Sequence, residues 1–268
     1  MELTHEMLKQ IQEIELEMLL EVDRICKENN IKYSIIGGTL LGAVRHGGFI
    51  PWDDDADVAM LRPEYEKFCS IIDAKLDSSR FYFQNMERTG GYRWGYAKLR
   101  RKGTLFLREN QEHMPYEQGI FLDIFPIDGT PNNRILRKIH KFRCFCVRKI
   151  LWSEVGKRVS RNSAQRLVYG ILSMIPDSCM KKMYRSLILK MHSDTSEVVR
   201  TLTYPAPPKL DGYYRRWFAE TAPILFEGYE FEGVKDYQGW LSFEFGDYMK
   251  LPPEDKRKTH PVTDIKFV

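Results

Sequence analysis

Apolar residues recur at steps of three and four near the start of the chain: Leu8, Ile11, Ile14, Met18, Val22 and Ile25. This spacing predicts an amphipathic helix over residues 5–29. Residues 31–36 are rich in β-branched and aromatic side chains, which predicts a short strand that Gly37 and Gly38 end. Thr39 is then expected to cap a short helix over 40–45.

The remaining pattern predicts strands and helices in mixed order, which is typical of an α+β fold. Strands are expected over 53–60, 81–83, 93–100, 104–108 and 119–125. Pro126 is expected to end the last of these, and Pro63 to open a helix over about 64–76. Residues 134–190 are predicted to be largely helical. Short strands, turns and a final helix near 236–248 are expected after Pro205.

The length of 268 residues suits one catalytic domain with a helical elaboration. We expect a catalytic core over 1–133 and a basic helical segment over 134–200. Residues 201–268 are expected to complete the catalytic domain.

Charge is distributed unevenly along the chain. The formal net charge is +4, but residues 134–190 carry fifteen Lys or Arg against two acids. An anionic membrane surface, a nucleic acid or a phosphate-rich substrate could explain such a segment, and so could a solvated helical face. Docking on the inner membrane leaflet would use an apolar side made of Leu136, Ile139, Phe142, Phe145, Ile150, Leu151 and Trp152.

The sequence predicts a cytoplasmic protein. Its first residues are acidic and polar, unlike a signal peptide, and no stretch reaches the roughly 18 apolar residues of a membrane span. Its five cysteines show neither a Cys-x-x-Cys pair nor zinc-site spacing, which indicates reduced thiols.

Candidate chemistry is concentrated in the run from Asp53 to Asp57, where four of five side chains are carboxylates. On a strand, the first, third and fifth of these share one face, and carboxylates aligned in this way repel one another. A divalent cation between them removes this repulsion. Val58 and Met60 place the run at the mouth of a buried strand and not in a solvated turn, so the pattern predicts a metal site.

Two further features accompany the acidic run. Gly37 and Gly38 precede a predicted helix, and free N–H groups at a helix N-terminus suit a phosphate. Asp123 is a lone carboxylate in an apolar strand, which is costly to bury unless it is paired. A metal shared with Asp55 and Asp57 would provide that pairing. Taken alone, the glycines also suit a tight turn, and Asp123 also suits a structural ion pair.

The stretch from Gly37 to Asp57, GGTLLGAVRHGGFIPWDDDAD, closely resembles the LicD family, to which the fukutin-type sugar-phosphate transferases are related. Further matching segments are 97–100, 119–128 and 245–253, followed by His260. Ala56 departs from the family pattern, where Ile or Val is expected. The resemblance implies a nucleotidyltransferase fold, with a mixed central sheet flanked by helices and, here, a mainly helical basic insertion.

The resemblance also implies transfer of a phospho-alcohol group from a CDP-activated donor. The best-known case is phosphocholine, which moves from CDP-choline to a sugar hydroxyl of a cell-surface glycan precursor of the teichoic acid or lipopolysaccharide type, with release of CMP. Mg²⁺ or Mn²⁺ held by Asp55, Asp57 and Asp123 would neutralise charge in the transition state. Asp53 would be a further ligand or a support for the ligands, and Asp123 would take the proton of the attacking hydroxyl.

Substrate contacts are expected from several side chains and backbone groups. The phosphate-binding candidates are Gly37, Gly38 and Thr39, and the fixed positive charges are Arg45, Lys98 and Arg100. Trp52 is one candidate for a choline cage. Tyr92, Trp94 and Tyr96 form another, since they share one face of a predicted strand with Lys98. Both sets also suit ordinary core aromatics, and His260 is a candidate substrate contact.

Other functions fit parts of the sequence. The same carboxylates would serve transfer of ribitol phosphate or glycerol phosphate, or nucleotidyl transfer from an NTP. A nucleic-acid-binding module would use the basic helices, but an acidic strand face repels phosphodiesters unless metal is present, so no nucleic acid is expected. An inactive scaffold would leave the complete carboxylate set unexplained.

Overall fold

The computed structural model describes residues 1–188, 195–205, 207 and 209–268. Within these ranges, helices are α1 (His5–Glu28), α2 (Gly37–His46), α3 (Arg62–Lys75), α4 (Arg134–Leu151), α5 (Ser153–Val159), α6 (Ser163–Ser173), α7 (Asp177–Ile188), α8 (Arg216–Ala219) and α9 (Tyr237–Phe245). The strands are β1 (Ser34–Ile35), β2 (Ala56–Leu61), β3 (Phe81–Gln84), β4 (Ala97–Arg101), β5 (Leu105–Arg108), β6 (Phe121–Gly129), β7 (Val198–Arg200), β8 (Tyr213–Tyr214), β9 (Thr221–Phe226), β10 (Tyr229–Val234) and β11 (Val262–Lys266).

A mixed sheet forms the centre of the molecule and confirms the predicted α+β class. Its main strand order is β3-β4-β6-β2-β1-β10-β9. β2 runs parallel to β6, and β1 runs parallel to β10, whereas the other neighbours in this order are antiparallel. β7 pairs with the far end of β6 and with β8. Residues after 201 therefore supply strands β9 and β10 to the same sheet as the acidic run.

Helix α1 follows the predicted apolar spacing. Thr4 caps it, accepting a hydrogen bond from the Met7 amide at 3.2 Å. The side chains that pack into the main core are Leu8, Ile11, Met18, Val22 and Ile25. Each fully buried aliphatic side chain of this kind contributes about 1.5–3 kcal/mol.

Several strands begin later than predicted. The first is confined to Ser34–Ile35, and β2 starts at Ala56, so most of the acidic run precedes the strand. Residues 93–96 are not a strand, and β4 starts at Ala97. The carbonyl of Gly95 accepts a hydrogen bond from the Tyr184 hydroxyl at 2.7 Å, which engages this backbone with α7 instead of a neighbouring strand.

Strand β6 continues through Pro126 to Gly129, so the predicted end at this proline was wrong. β4 pairs with β6 only as far as Ile124, and β7 pairs with it from Asp128 onwards. Pro126 is thus paired with neither β4 nor β7, so its missing N–H interrupts neither of these two ladders.

The predicted helical segment is confirmed as α4 to α7, and residues 189 and 190 lie outside the described part of the chain. These helices bury a second apolar cluster that includes Cys144, Val147, Leu151, Met180 and Leu187. Among the described residues, no helix has both the length and the apolar character needed to cross a membrane.

Candidate active site

Three candidate site residues lie side by side across three neighbouring strands. Asp57 on β2 is the register partner of Asp123 on β6, and Asp123 is also the register partner of Lys98 on β4. Residues paired in register project from the same face of a sheet. The fold therefore lines up two carboxylates and one ammonium group, as the sequence pattern around the two aspartates had suggested.

Lys98 and Asp123 form a buried ion pair. Only 3% of Lys98 and 5% of Asp123 is exposed. The ammonium group also lies 3.3 Å from the centroid of the Phe121 ring. Burial lowers the pKa of Lys98 to about 8, although Asp123 opposes this shift. The ion pair with Lys98 thus offsets the free-energy cost of burying the Asp123 carboxylate.

Burial and the charges of neighbouring carboxylates disfavour the ionised forms of Asp53, Asp55 and Asp57. Burial raises the pKa of Asp57 well above its ordinary value, and Asp55 and Asp123 add to the effect. Burial likewise raises the pKa of Asp55, with His260 opposing it. The pKa of Asp53 rises to about 8 through burial and the charges of its neighbours. Hard oxygen donors that repel one another are the donor set that Mg²⁺ and Mn²⁺ prefer.

The carboxylates of the candidate site do not converge on a single point. In the described ranges, no three Asp, Glu, His or Cys side chains are grouped so that they could hold a metal ion as they stand. The donor chemistry and the strand register nevertheless fit a divalent cation, because Asp57 and Asp123 are adjacent and Asp55 borders the same cavity.

The glycine turn that opens α2 lies against the acidic run. A Cβ added to Gly37 would lie 2.7 Å from an Asp57 carboxylate oxygen, and one added to Gly38 would lie 2.3 Å from an Asp53 oxygen. Gly37 also has a φ of +61°, which favours glycine. The turn must therefore lack side chains for the two carboxylates to take their positions.

Thr39 does not cap α2, which begins at Gly37 with Ile36 as its N-cap residue. The Thr39 hydroxyl instead accepts a hydrogen bond from the Asp57 amide at 2.9 Å. Thr39 is 2% exposed, so it fixes the start of β2 relative to the glycine turn and does not face an incoming ligand.

His260 joins the C-terminal tail to the acidic run. Its amide donates hydrogen bonds to both carboxylate oxygens of Asp54, at 3.0 and 3.1 Å. Its Nδ1 lies 3.2 Å from Asp54 and 3.7 Å from Asp55. Asp54 thus anchors the tail, and His260 faces Asp55.

A cavity of about 200 Å³ lies over this row of side chains. It brings together six predicted site residues: Asp55, Asp57, Trp94, Lys98, Asp123 and His260. Tyr96, which was predicted for the choline cage, also lines the cavity. The remaining lining residues were not predicted as site residues: Arg108, Gln111, Phe125, Trp152 and Tyr204. Arg108 and Trp152 come from distant segments without a shared spacing, so no local pattern marked them.

Besides the glycine turn and Thr39, four further predicted contacts lie outside this cavity. Arg45 donates a hydrogen bond to the Tyr248 carbonyl at 2.9 Å. Arg100 donates to Gln84 and to the Gly119 carbonyl, both at 2.7 Å. Trp52 packs on Arg257, whose guanidinium carbon lies 4.8 Å from the ring centroid, and Tyr92 is buried against Tyr116. These four side chains contact other protein groups, so they stabilise the structure around the site.

Glu15 on α1 is a fifth acid behind the run, and its position among apolar residues gave no sign of this role. It is fully buried, and neither carboxylate oxygen has a hydrogen-bond partner. Burial raises its pKa well above the ordinary value, and the nearby aspartates, Asp55 first, raise it further. The site thus concentrates more acidic groups than the sequence pattern alone indicated.

Comparisons with known proteins identify the family of the chain. Residues 30–149 match the family model described as "LicD/FKTN/FKRP, nucleotidyltransferase domain". The chain is 31% identical over 247 residues to the lipopolysaccharide cholinephosphotransferase LicD of Haemophilus influenzae, covering 90% of each chain. It is also 43% identical to an uncharacterized protein of Rickettsia typhi over 56 residues, which is 21% of this chain and 18% of that protein.

The matched region contains β1 to β6, and with them the row of Lys98, Asp123 and Asp57. The relative from Haemophilus influenzae extends the similarity over nearly the whole chain. The protein is therefore a transferase with a nucleotidyltransferase-type domain and belongs to the LicD family.

Proposed function

We propose that the protein transfers phosphocholine from CDP-choline to a sugar hydroxyl of a cell-surface glycan precursor and releases CMP. The observation that carries this proposal is the in-register row of Asp57, Asp123 and Lys98 beneath a cavity walled by aromatic side chains. The similarity to a lipopolysaccharide cholinephosphotransferase supports phosphocholine as the group transferred. The acceptor class is a glycan of the lipopolysaccharide or teichoic acid type.

We propose that the donor diphosphate binds over the acidic row, which consists of Asp55, Asp57 and Asp123. Asp55, Asp57 and Asp123 would hold Mg²⁺ or Mn²⁺, with Asp53 as a support, and the cation would neutralise the charge of the diphosphate. Lys98 provides a fixed positive charge beside Asp123. Arg108 lines the same cavity and adds a second cation for the phosphate oxygens.

Asp123 is proposed as the group that takes the proton of the attacking sugar hydroxyl. Its carboxylate lines the cavity and is held by Lys98, which fixes its orientation. A base held in this way contributes about 10²–10⁴-fold to a proton-transfer step.

Aromatic rings form the proposed choline pocket. The Tyr96 and Phe125 ring centroids are 4.7 Å apart, and the Phe125 and Tyr204 centroids are 5.5 Å apart. Trp94 is oriented by a hydrogen bond from its indole N–H to the Tyr116 hydroxyl at 2.9 Å. A quaternary ammonium group binds well to such faces because their π electrons attract a cation that cannot donate hydrogen bonds.

Replacing Trp94 with alanine is expected to weaken CDP-choline binding by about tenfold, since a desolvated cation–π contact contributes roughly 1–2 kcal/mol. Binding of CMP, which lacks choline, should change little. Titration of both ligands measures the difference, and Trp94→Phe should retain most of the CDP-choline affinity. Equal losses for both ligands would contradict a choline role for this ring.

Transfer of ribitol phosphate or glycerol phosphate, and nucleotidyl transfer from an NTP, use the same carboxylates. An aromatic wall favours choline over polyols, which require hydrogen-bonding groups. The decisive assay incubates the protein with CDP-choline, a divalent cation and glycan acceptors of the lipopolysaccharide and teichoic acid types. Release of CMP with labelled choline on the glycan supports the proposal, whereas release of pyrophosphate from an NTP would replace it.

We place the reaction in the cytoplasm, at the inner face of the cell membrane. All five cysteines are free thiols, including Cys144 and Cys146 on α4. Unpaired cysteines in this number are typical of a reducing compartment.

A further inference from the structure

Helices α4 and α6 are neighbours, and each presents an apolar stripe that is exposed in the described part of the chain. The α4–α6 face consists of Ile135, Ile139 and Phe142 on α4 together with Leu167, Ile171 and Met174 on α6. These six side chains are 53–80% exposed. They repeat at intervals of three and four on each helix, so each set forms one continuous stripe. No residue of α6 is buried, although the helix packs beside α5.

Basic side chains lie among these apolar residues. On α4, helical spacing places Lys138 and Lys149 beside the apolar stripe, and Arg166 precedes Leu167 on α6. Neither helix contains Asp or Glu. The combination of exposed Leu, Ile and Phe with Lys and Arg alone is typical of helices that lie in the interface of an anionic bilayer.

The structure corrects which side chains of α4 are available. Ile150 and Leu151, expected on the outer apolar side, are 7% and 3% exposed and pack into the second apolar cluster. Ile135, which was not among the expected residues, is 71% exposed. The unpartnered stripe is therefore shifted towards the N-terminal part of the helix.

The basic side chains of the α4–α6 face indicate which kind of partner binds it. A second copy related by a twofold axis would bring two faces together whose charged side chains on α4 and α6 are all basic, which is repulsive. A nucleic acid would satisfy the charges but leave the aliphatic side chains without a partner, since phosphate contacts use polar groups. An anionic bilayer satisfies both sets at once, because acyl chains accept the apolar residues and lipid phosphates accept the cations.

The same helix leads to the active site. Arg148, Lys149 and Trp152 at the end of α4 line a second cavity of about 380 Å³. This cavity shares Trp94 and Trp152 with the cavity over the carboxylates. Helix α4 therefore runs from the exposed apolar stripe to a basic and aromatic cavity that adjoins the cavity over the carboxylates.

We propose that the α4–α6 face docks on an anionic lipid bilayer and holds the mouth of the active site at the membrane surface. The docking does not depend on the transfer reaction. Its consequence, that the glycan acceptor is reached as a membrane-bound, lipid-linked molecule, rests on the proposed function.

The test is flotation of the full chain with phosphatidylcholine vesicles that contain or lack phosphatidylglycerol. Binding should require the anionic lipid and should fall as salt is raised above about 0.1 M, where the screening length is about 10 Å. Phe142→Asp combined with Ile171→Asp should lower the vesicle-bound fraction by about tenfold or more. Lys138→Glu should lower binding about fivefold or more.

Matched controls carry the same substitutions outside the face. Leu251→Asp replaces an apolar residue that is 48% exposed, and Lys9→Glu reverses an exposed charge on α1, so both should bind vesicles normally. Because Phe142 and Ile171 are exposed, their variant should keep the wild-type melting temperature and bind CDP-choline in solution as the wild type does. Donor binding thus reports separately on the proposed function.

Three results would overturn the proposal. One is equal binding to neutral and anionic vesicles, and another is unchanged binding by the face variants. The third is a stable dimer, or a salt-sensitive oligonucleotide complex, that Phe142→Asp abolishes while vesicle binding persists; this result would assign the face to another chain or to a nucleic acid.

Discussion

Replacing Asp57 with asparagine is expected to lower kcat/KM by about 10³-fold or more while leaving the protein folded. Asp57 lies in register with Asp123 at the centre of the acidic row, so its loss removes one of the two adjacent carboxylates. Removing a single preorganised charge-stabilising group costs about 10²–10³-fold in comparable sites. A carboxylate that also binds a cation is expected to cost at least as much. CMP release from CDP-choline measures the effect.

The same substitution should not weaken the fold of the metal-free protein. Burial raises the pKa of Asp57, which means that the folded state disfavours its ionised form. A neutral amide of the same shape removes this cost, so thermal unfolding in EDTA should occur at the wild-type temperature or above it. Asp264→Asn, on an exposed position of β11, is the control and should keep both activity and stability. Activity within tenfold of wild type in Asp57→Asn would contradict the assigned role.

Replacing Arg62 with methionine is expected to lower the free energy of unfolding by about 3–5 kcal/mol. Arg62 donates two hydrogen bonds of 2.6 Å to the carboxylate of Asp128, which is fully buried. Arg62 also donates to the Tyr184 hydroxyl at 3.2 Å. This network joins α3, β6 and α7. Without the Arg62 guanidinium, the Asp128 carboxylate is left charged and unpaired inside the protein. Urea unfolding measures the change.

Two controls separate this effect from the loss of any ion pair. Lys235→Met removes a 3.3 Å pair with Glu220 whose side chains are 63% and 62% exposed. That variant should change stability by less than about 1 kcal/mol. Arg62→Met combined with Asp128→Leu should recover part of the loss, because an apolar pair leaves no unpaired charge. A single variant as stable as the wild type would show that Asp128 finds another partner.

The central strands and the acidic row were predictable because their signals are local. Asp57 leads into an apolar run and Asp123 stands within one, and such runs become neighbouring buried strands. The glycine turn was also marked by its residues, and a tight approach to Asp53 and Asp57 explains why side chains are excluded there.

The partners of the site residues were not predictable, because they depend on long-range register. Lys98 was expected to supply positive charge to a phosphate, and its place opposite Asp123 also makes it the ion-pair partner of that carboxylate, which the sequence did not indicate. Arg100, two residues further along β4, faces Gln84 and a carbonyl instead of the cavity. Trp152 and Tyr204 reach the cavity from segments whose packing the spacing of residues does not encode.

The basic segment illustrates the same limit. Its composition predicted helices with an apolar side, but not which apolar residues α4 would bury. Cys144, Val147 and Leu151 face the second cluster, so the opposite side of the helix, with Ile139 and Phe142, is left exposed. Tertiary packing thus decides which of two apolar stripes becomes a surface.

The most direct test of the proposed site is calorimetric titration of CDP-choline, CDP-ribitol, CDP-glycerol and CTP into the protein, first with Mg²⁺ and then with EDTA. The wild type should bind CDP-choline selectively and only with the cation. The Asp55→Ala/Asp57→Ala variant should lose this binding or show it strongly weakened. Binding of CDP-choline that is equally tight in EDTA or in the variant, or binding of CTP alone, would contradict a metal-dependent phosphocholine donor site at these carboxylates.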